Sequence, residues 1–407
     1  MPGLITERNF PTSWTIKRFK YCAQICNGGE YSDIEVEEGG YPVIGSGGEF
    51  ARASKFSYCG KSVLLGRKGT VDKPLFVDGA FWCVDTMFYT KIKDFAYEKY
   101  LYYCTLCFPF DYYVTSTALP SMTQRDLGSQ EIAVPPKKEQ KAIADFLDKE
   151  CAQIDSIAAD LEKQIDLLQQ YKKSLITETV TKGLDKSVPM KDSGVEWASK
   201  IPCHWEIKRF KYLCEYITDG SHFSPETTDE GYPYITAADV KGVGLDYDAA
   251  KKISQQDFIS LQKAGCQPRK SDVLLVKDGA TTGRIGMVTS EKPCVVLSSV
   301  AILRAPDNMD ARYFRYLMES DFVQAQIQAS MAGSAMPRTV LSKIINYWGI
   351  TCPKEEQKEI CDFLDRKCGY IETVIETKQV QQSTIQQHKK SLIYEYVTGK
   401  KRVKEVR

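Results

Sequence analysis

One long phrase occurs twice in this chain. Pro135-Pro136-Lys137-Lys138-Glu139-Gln140, Phe146-Leu147-Asp148, Cys151, Ile154 and Lys172-Lys173-Ser174-Leu175-Ile176 appear first. They return as Cys352-Pro353-Lys354-Glu355-Glu356-Gln357, Phe363-Leu364-Asp365, Cys368, Ile371 and Lys389-Lys390-Ser391-Leu392-Ile393. Each matched pair lies 217 positions apart, as Pro136 does from Pro353, so the copies align without a gap. A shorter echo comes earlier in each half, where Trp14-Thr-Ile-Lys-Arg-Phe-Lys-Tyr21 returns as Trp205-Glu-Ile-Lys-Arg-Phe-Lys-Tyr212. A chain made of two copies of one unit can fold with an internal two-fold axis, which is also the local symmetry of duplex DNA.

The first long copy carries a heptad stripe. Leu147, Ile154, Leu161, Leu168 and Leu175 recur every seven residues, and Cys151, Ala158 and Ile165 fall four after the first three. This is the seam of a coiled coil. Acidic Glu139, Asp145 and Asp148 favour a helix start and Gly183 favours its stop. About 43 residues at ~1.5 Å each predict a helix on the order of 60 Å long. In the second copy Leu364, Ile371, Ile375, Ile385 and Leu392 hold the stripe, while Lys378 and Gln382 replace Leu161 and Ile165. Pairing of the first copy with the second is therefore favoured over self-pairing, with the polar seam residues setting register.

The segments before and between these helices share landmarks and little else. Both carry Gly-Tyr-Pro and an apolar pair, at Gly40–Ile44 and Gly231–Ile235. Both then run a short apolar strand into a glycine loop with cations, Ser62-Val-Leu-Leu-Gly-Arg-Lys-Gly-Thr70 and Asp272-Val-Leu-Leu-Val-Lys-Asp-Gly-Ala-Thr-Thr-Gly-Arg-Ile-Gly286. Tyr-rich helices follow over Glu98–Leu106 and Ala311–Glu319, their aromatic residues spaced as core. Each segment ends on a polar stretch, Leu119–Arg125 and Met336–Thr339. The fold class expected is mixed α/β: two pseudo-twofold-related α/β domains separated by two long antiparallel coiled-coil helices. The domains are 1–134, a long helix over 135–185, a connector and second domain over 186–350, and a second long helix over 351–407.

The chain has 407 residues, 43% hydrophobic and 26% charged, the composition of a globular protein of several domains. No apolar run is long enough to span a membrane, and a cytoplasmic location is expected. The 14 cysteines are scattered. Cys104 and Cys107 form a lone CxxC without a second pair, and the three histidines lie apart at 204, 222 and 388, so no metal site is expected. A formal charge of +1 gives no global attraction for a polyanion, so a nucleic-acid role rests on local patches.

Catalytic signatures are missing. The chain has no phosphate-cradling Gly-x4-Gly-Lys-Ser/Thr, no methyltransferase Asn/Asp-Pro-Pro-Tyr/Phe, no Gly-x-Ser-x-Gly and no His-Glu-x-x-His. Ile44-Gly-Ser-Gly-Gly48 lacks the spacing of a dinucleotide fingerprint and reads as a turn. Binding is favoured over catalysis. Its candidates are the two glycine loops, through Arg67, Lys68 and Thr70 and through Lys277, Thr281, Thr282 and Arg284. Ser46 in the first domain, and Gln124, Arg125, Arg338 and Thr339 just before the long helices, complete the set. Glycine lets backbone approach a phosphate, while Arg forks onto phosphate or guanine. The same loops could be plain hairpin turns, and the pre-helix residues could be caps.

Thr181-Lys-Gly-Leu-Asp185, Met190-Lys-Asp-Ser-Gly-Val-Glu-Trp197 and Ile201-Pro-Cys-His-Trp205 follow the helix opened by Pro136 and Glu139-Gln140. Together they resemble the central conserved region of type I restriction–modification specificity subunits, and the C-terminal copy resembles their distal one. The divergent segments resemble target recognition domains. In the first, Ile44–Gly48, Gly66-Arg-Lys-Gly69 and Phe81-Trp-Cys-Val-Asp-Thr86 resemble a known subtype. The resemblance covers essentially the whole chain. It implies a non-catalytic DNA-binding subunit that reads a bipartite site in double-stranded DNA, one domain per half-site, with the helices as spacer. It also implies two methyltransferase subunits and restriction nuclease/translocase subunits as partners. S-adenosylmethionine, ATP and Mg would then sit on those partners and no cofactor on this chain. A specificity subunit of another restriction–modification type, a methyltransferase or nuclease with an unfamiliar site, and an assembly scaffold remain as alternatives.

Overall fold

A computed structural model describes residues 13–113, 120–331 and 337–403. Leu119, Met336 and the first 12 residues of the expected first domain lie outside the described residues. The chain divides into two compact units, residues 1–162 with 379–407, and residues 163–378. Each contains one α/β domain and part of both long helices.

The two units repeat one construction. In the first, Thr15–Arg18 pairs antiparallel with Glu131–Val134. A four-stranded sheet runs Ala23–Asn27, Met87–Ile92, Ser62–Gly66 and Leu75–Val77, and another runs Gly48–Ala53, Tyr41–Gly45, Ala80–Cys83 and Tyr58–Cys59. The second unit repeats all three. Glu206–Arg209 pairs with Trp348–Thr351. One sheet runs Tyr216–Asp219, Val300–Arg304, Val273–Val276 and Ile285–Met287, and the other Thr227–Thr228, Lys251–Ile253, Tyr232–Ile235 and Val295–Val296. The Gly-Tyr-Pro strand makes a parallel pair in both domains, Val43 with Trp82 and Tyr234 with Val295. The connector holds more order than its polar sequence indicates: Met190–Val195 and Ala198–Pro202 form a hairpin.

The long helices are Lys137–Lys182 and Lys354–Val397, 46 and 44 residues long. The first stops where Gly183 adopts a φ of +73°, a conformation that only glycine takes without strain. Within the first unit Glu139 meets Arg402 at 2.9 Å and Asp155 meets Lys389 at 2.6 Å, so the helices run antiparallel. Within the second, Gln164 accepts from Lys378 at 2.6 Å and Glu372 from Lys172 at 2.5 Å, with the same polarity. Leu147, Cys151, Ile154, Leu161, Leu364, Ile371 and Leu392 are buried. Leu168, Leu175 and Ile385 are only half-buried, while Leu161 and Ile165, at the level of Lys378 and Gln382, are buried.

Each domain is clamped to the helices by repeated contacts. Trp14 Nε1 donates to Glu139 at 3.1 Å and Trp205 Nε1 to Glu356 at 3.0 Å. Gln140 accepts from Tyr97 N and donates to Pro135 O, and Gln357 accepts from Asp310 N and donates to Cys352 O. The Tyr-rich helices Glu98–Thr105 and Ala311–Glu319 pack as core, with Tyr100 and Tyr313 fully buried. Tyr100 donates to Val397 O at 3.1 Å, the end of the second long helix. Tyr313 lies 3.4 Å from Val180 O, the end of the first.

Cys104 and Cys107 are free thiols, buried and half-buried. Burial pushes Cys83 and Cys107 up from 9.0 to about 12. Only Cys59 and Cys203 are exposed. An aromatic disulfide reagent at pH 8 should therefore titrate two thiols rapidly in the native chain and all 14 in urea. Cys59→Ser with Cys203→Ser should abolish the fast phase. The buried thiols hold their protons more tightly folded than unfolded, so stability should fall as pH rises past 9.0, measured by urea denaturation.

Candidate nucleic-acid interface

The two candidate sets in each domain, far apart in sequence, are stitched together by backbone hydrogen bonds. In the first domain Met122 N donates to Arg67 O at 3.0 Å and Gly69 N to Pro120 O at 2.8 Å. In the second, Thr339 N donates to Lys277 O at 2.9 Å and Gly279 N to Pro337 O at 3.0 Å. Lys68 bridges Ser121 and Asp278 bridges Arg338 in the same antiparallel sense. The glycine that turns each loop has positive φ, +81° at Gly69 and +94° at Gly279, and a Cβ there would meet open space. Backbone conformation, then, demands glycine at both places. The glycine loop and the pre-helix stretch form one rim in each domain.

What the rim displays differs. In the first domain Lys68 and Arg125 are exposed, with no side-chain partner among the described residues. Gln124 is also exposed and donates to Asn27 Oδ1 at 2.9 Å. Arg67 is half-buried, its guanidinium 3.2 Å from Asp85 O and 5.9 Å from the Phe88 ring. Thr70 is half-buried. Ser46 sits with Gly47 in the two-residue turn between Tyr41–Gly45 and Gly48–Ala53, where Gly45 pairs with Gly48. That stretch is a hairpin turn, as its spacing indicated.

In the second domain Arg284 and Arg338 are exposed and Thr281 is half-buried. Arg338 Nε lies 2.9 Å from Asp278 Oδ1, a close charge contact outside hydrogen-bond geometry. Three residues expected to face DNA have structural placements instead. Lys277 is 1% exposed, its ammonium 3.5 Å from Asp219 and 3.6 Å from Asp278. Thr339, at the place of buried Met122, is also buried and shares a hydroxyl cluster with Ser330 and Tyr347 at 2.8 and 2.6 Å. Thr282 spends its hydroxyl on Gly279 O at 2.7 Å.

Sequence reasoning passed over Asn27, Asp219 and Asp278. Asn27 and Asp219 end corresponding strands and hold Gln124 and Lys277 respectively. Asn27 lies 97 positions from Gln124 and Asp219 lies 58 from Lys277, separations that leave no local signal. Among the described residues no group of three or more His, Cys, Asp or Glu could hold a metal ion. No described helix is long and apolar enough to cross a membrane. Lys277→Ala should destabilise the chain by on the order of 3 kcal/mol, because two carboxylates lose their buried cation. Lys68→Ala should change stability by less than about 0.5 kcal/mol. Equal midpoints in urea denaturation would return Lys277 to the surface set.

The sequence model of the type I restriction modification DNA specificity domain matches residues 11–167 and 202–383. The chain is 24% identical over 296 residues to the type I restriction enzyme MjaVIII specificity subunit of Methanocaldococcus jannaschii, covering 71% of this chain and 66% of that protein. It is 24% identical over 323 residues to the type I restriction enzyme EcoBI specificity subunit of Escherichia coli, covering 73% and 67%. A solved chain from work on complex assembly and conformational transition of the type I R-M system shares the fold. Its TM-score is 0.71 at 13% identity, over 97% of this chain and 100% of that one. With one match across each repeat and most of the chain covered, the protein belongs to the type I restriction–modification DNA specificity family.

Proposed function

We propose that this chain is the non-catalytic sequence reader of a type I restriction–modification complex, each domain reading one half of a bipartite site in duplex DNA. The observation that carries this is the repeated rim: one backbone ladder, occurring twice, with different side chains on it. Lys68, Gln124 and Arg125 stand in one domain, and Asp278, Arg284 and Arg338 in the other. In a major groove Arg and Lys pair with guanine and Gln with adenine, so the two rims, with different sets of exposed side chains, suit different sequences. A constant scaffold with exchanged contacts is what reading two unlike half-sites requires.

The repeated helix ends and clamps give two like surfaces, suited to two copies of one partner. We assign these to methyltransferase subunits that flip the target adenine, with nuclease/translocase subunits completing the restriction form. S-adenosylmethionine, ATP and Mg belong to those partners in this reading. The long helices serve as the spacer between half-sites.

Two measurements test the reading. Replacing residues 15–134 with another such domain should change one half of the sequence at which adenines are methylated, as mapped in the host genome. A change in both halves, or in neither, would refute it. Equilibrium dialysis of the isolated chain should show no binding of S-adenosylmethionine, and saturable binding would favour the enzymatic alternative.

A further inference from the structure

The short echo Lys-Arg-Phe-Lys-Tyr plays no part in the rims, yet the structure gives it one constant setting. Its Phe is buried in both domains, as Phe19 and Phe210, and that Phe N donates to the chain just before the closing strand, at Gln130 O and Tyr347 O, 2.8 Å each. The preceding arginines pair in register with that strand, Arg18 with Glu131 and Arg209 with Trp348. Beyond the Phe, Lys20 lies over the ring of Tyr21 at 5.1 Å and Lys211 over that of Tyr212 at 5.0 Å. Tyr21 is 53% exposed and Tyr212 72%. Two domains with unlike rims thus present one basic and aromatic turn.

Beside each turn runs a groove. In the first domain Arg18, Lys20, Gln24, Lys93, Gln124 and Arg125 line it, so it continues into the rim. The carboxylates there are Asp126 and Glu131, and Asp126 is already engaged by Thr123 N and Oγ1 in a capping box. In the second domain the groove lies at the same repeat positions, with Arg209 for Arg18, Ser342 for Arg125, Asn346 for Ser129 and Trp348 for Glu131. Arg209 stacks on Trp348 at 3.6 Å, Lys343 adds a second cation, and no acidic residue lines it. Both grooves carry positive charge in a chain whose formal charge is only +1.

We infer that both grooves and the turns beside them seat the sugar–phosphate backbone of duplex DNA, Arg18, Lys20 and Arg209 from the grooves and Lys211 from the adjoining turn contacting phosphates without regard to sequence. This rests on the DNA-reading function proposed above. The backbone is the one feature that two unlike half-sites share. Arg, Lys, Gln and Tyr are the side chains that make phosphate contacts. A protein partner fits less well, since interface cores are depleted in lysine. In the first domain the groove is continuous with Gln124 and Arg125, so phosphate contacts there would position the rim against base edges.

The full-length chain is titrated with a 30-base-pair duplex at increasing salt, alongside R18Q/K20Q and the fourfold variant R18Q/K20Q/R209Q/K211Q. Each lost phosphate contact lowers the slope of log affinity against log salt by about 0.9, so the variants should lose roughly 2 and 4 slope units. Affinity should fall alike for every duplex sequence, with the order of preference kept. The twofold variant removes exposed side chains only, and circular dichroism checks its fold. Duplex binding by the parent with unchanged slopes in both variants would overturn the inference and leave the DNA-reading function standing. Unchanged slopes with lost co-purification of methyltransferase subunits would overturn it in favour of a protein contact. Absence of salt-dependent duplex binding by the parent chain would overturn both.

Discussion

The indole of Trp14 on Glu139, and that of Trp205 on Glu356, set where each domain sits on its helix. In each case the next residue is a glutamine whose side chain bonds both ways. It accepts from the backbone at the entry to a Tyr-rich helix and donates to the carbonyl just before the long helix. Removing either partner would leave a buried polar group without its bond, the costly half of any hydrogen-bond exchange. This explains why both copies keep Glu-Gln and Trp while the intervening chain drifts. Sheets, rims and grooves are all carried on that joint.

Constancy and variation divide between main chain and side chain. The rim is fixed by amide-to-carbonyl bonds and one left-handed glycine, none of which depends on the neighbouring side chains. Lys68 in one domain can therefore correspond to Asp278 in the other without disturbing the ladder. Burial sets the limit on that freedom. At the positions before these, Arg67 reaches the surface while Lys277 turns inward to two carboxylates. A change at the first alters what is displayed, whereas a change at the second alters the domain itself.

Much of the architecture was legible in the sequence because it is periodic or repeated. The heptad stripe and Gly183 located the first long helix, and the Tyr spacing located the short core helices. The polar seam at Lys378 and Gln382 pointed to pairing between copies, and Lys378 does reach Gln164. Less of the site was legible. Composition cannot tell a cation that faces solvent from one neutralised inside, which is why Lys277 looked like Arg284. Thr339 belonged to a buried hydroxyl cluster whose other members, Ser330 and Tyr347, carry no pattern. Asp219, which helps turn Lys277 inward, lies at a strand end 58 positions away and is brought near only by the tertiary fold.

The division of the chain into units has a consequence for how it is made. The second unit is one continuous stretch, residues 163–378, whereas the first needs residues 379–407 as well as 1–162. Tyr100 finds its carbonyl at Val397, 297 positions on. Contacts of such separation carry a large loop-closure cost and form late. During synthesis the part that emerges first is thus the part completed last, its apolar helix face waiting for the C-terminus. A chain truncated near its end would lose the integrity of its N-terminal domain before that of the domain beside the cut.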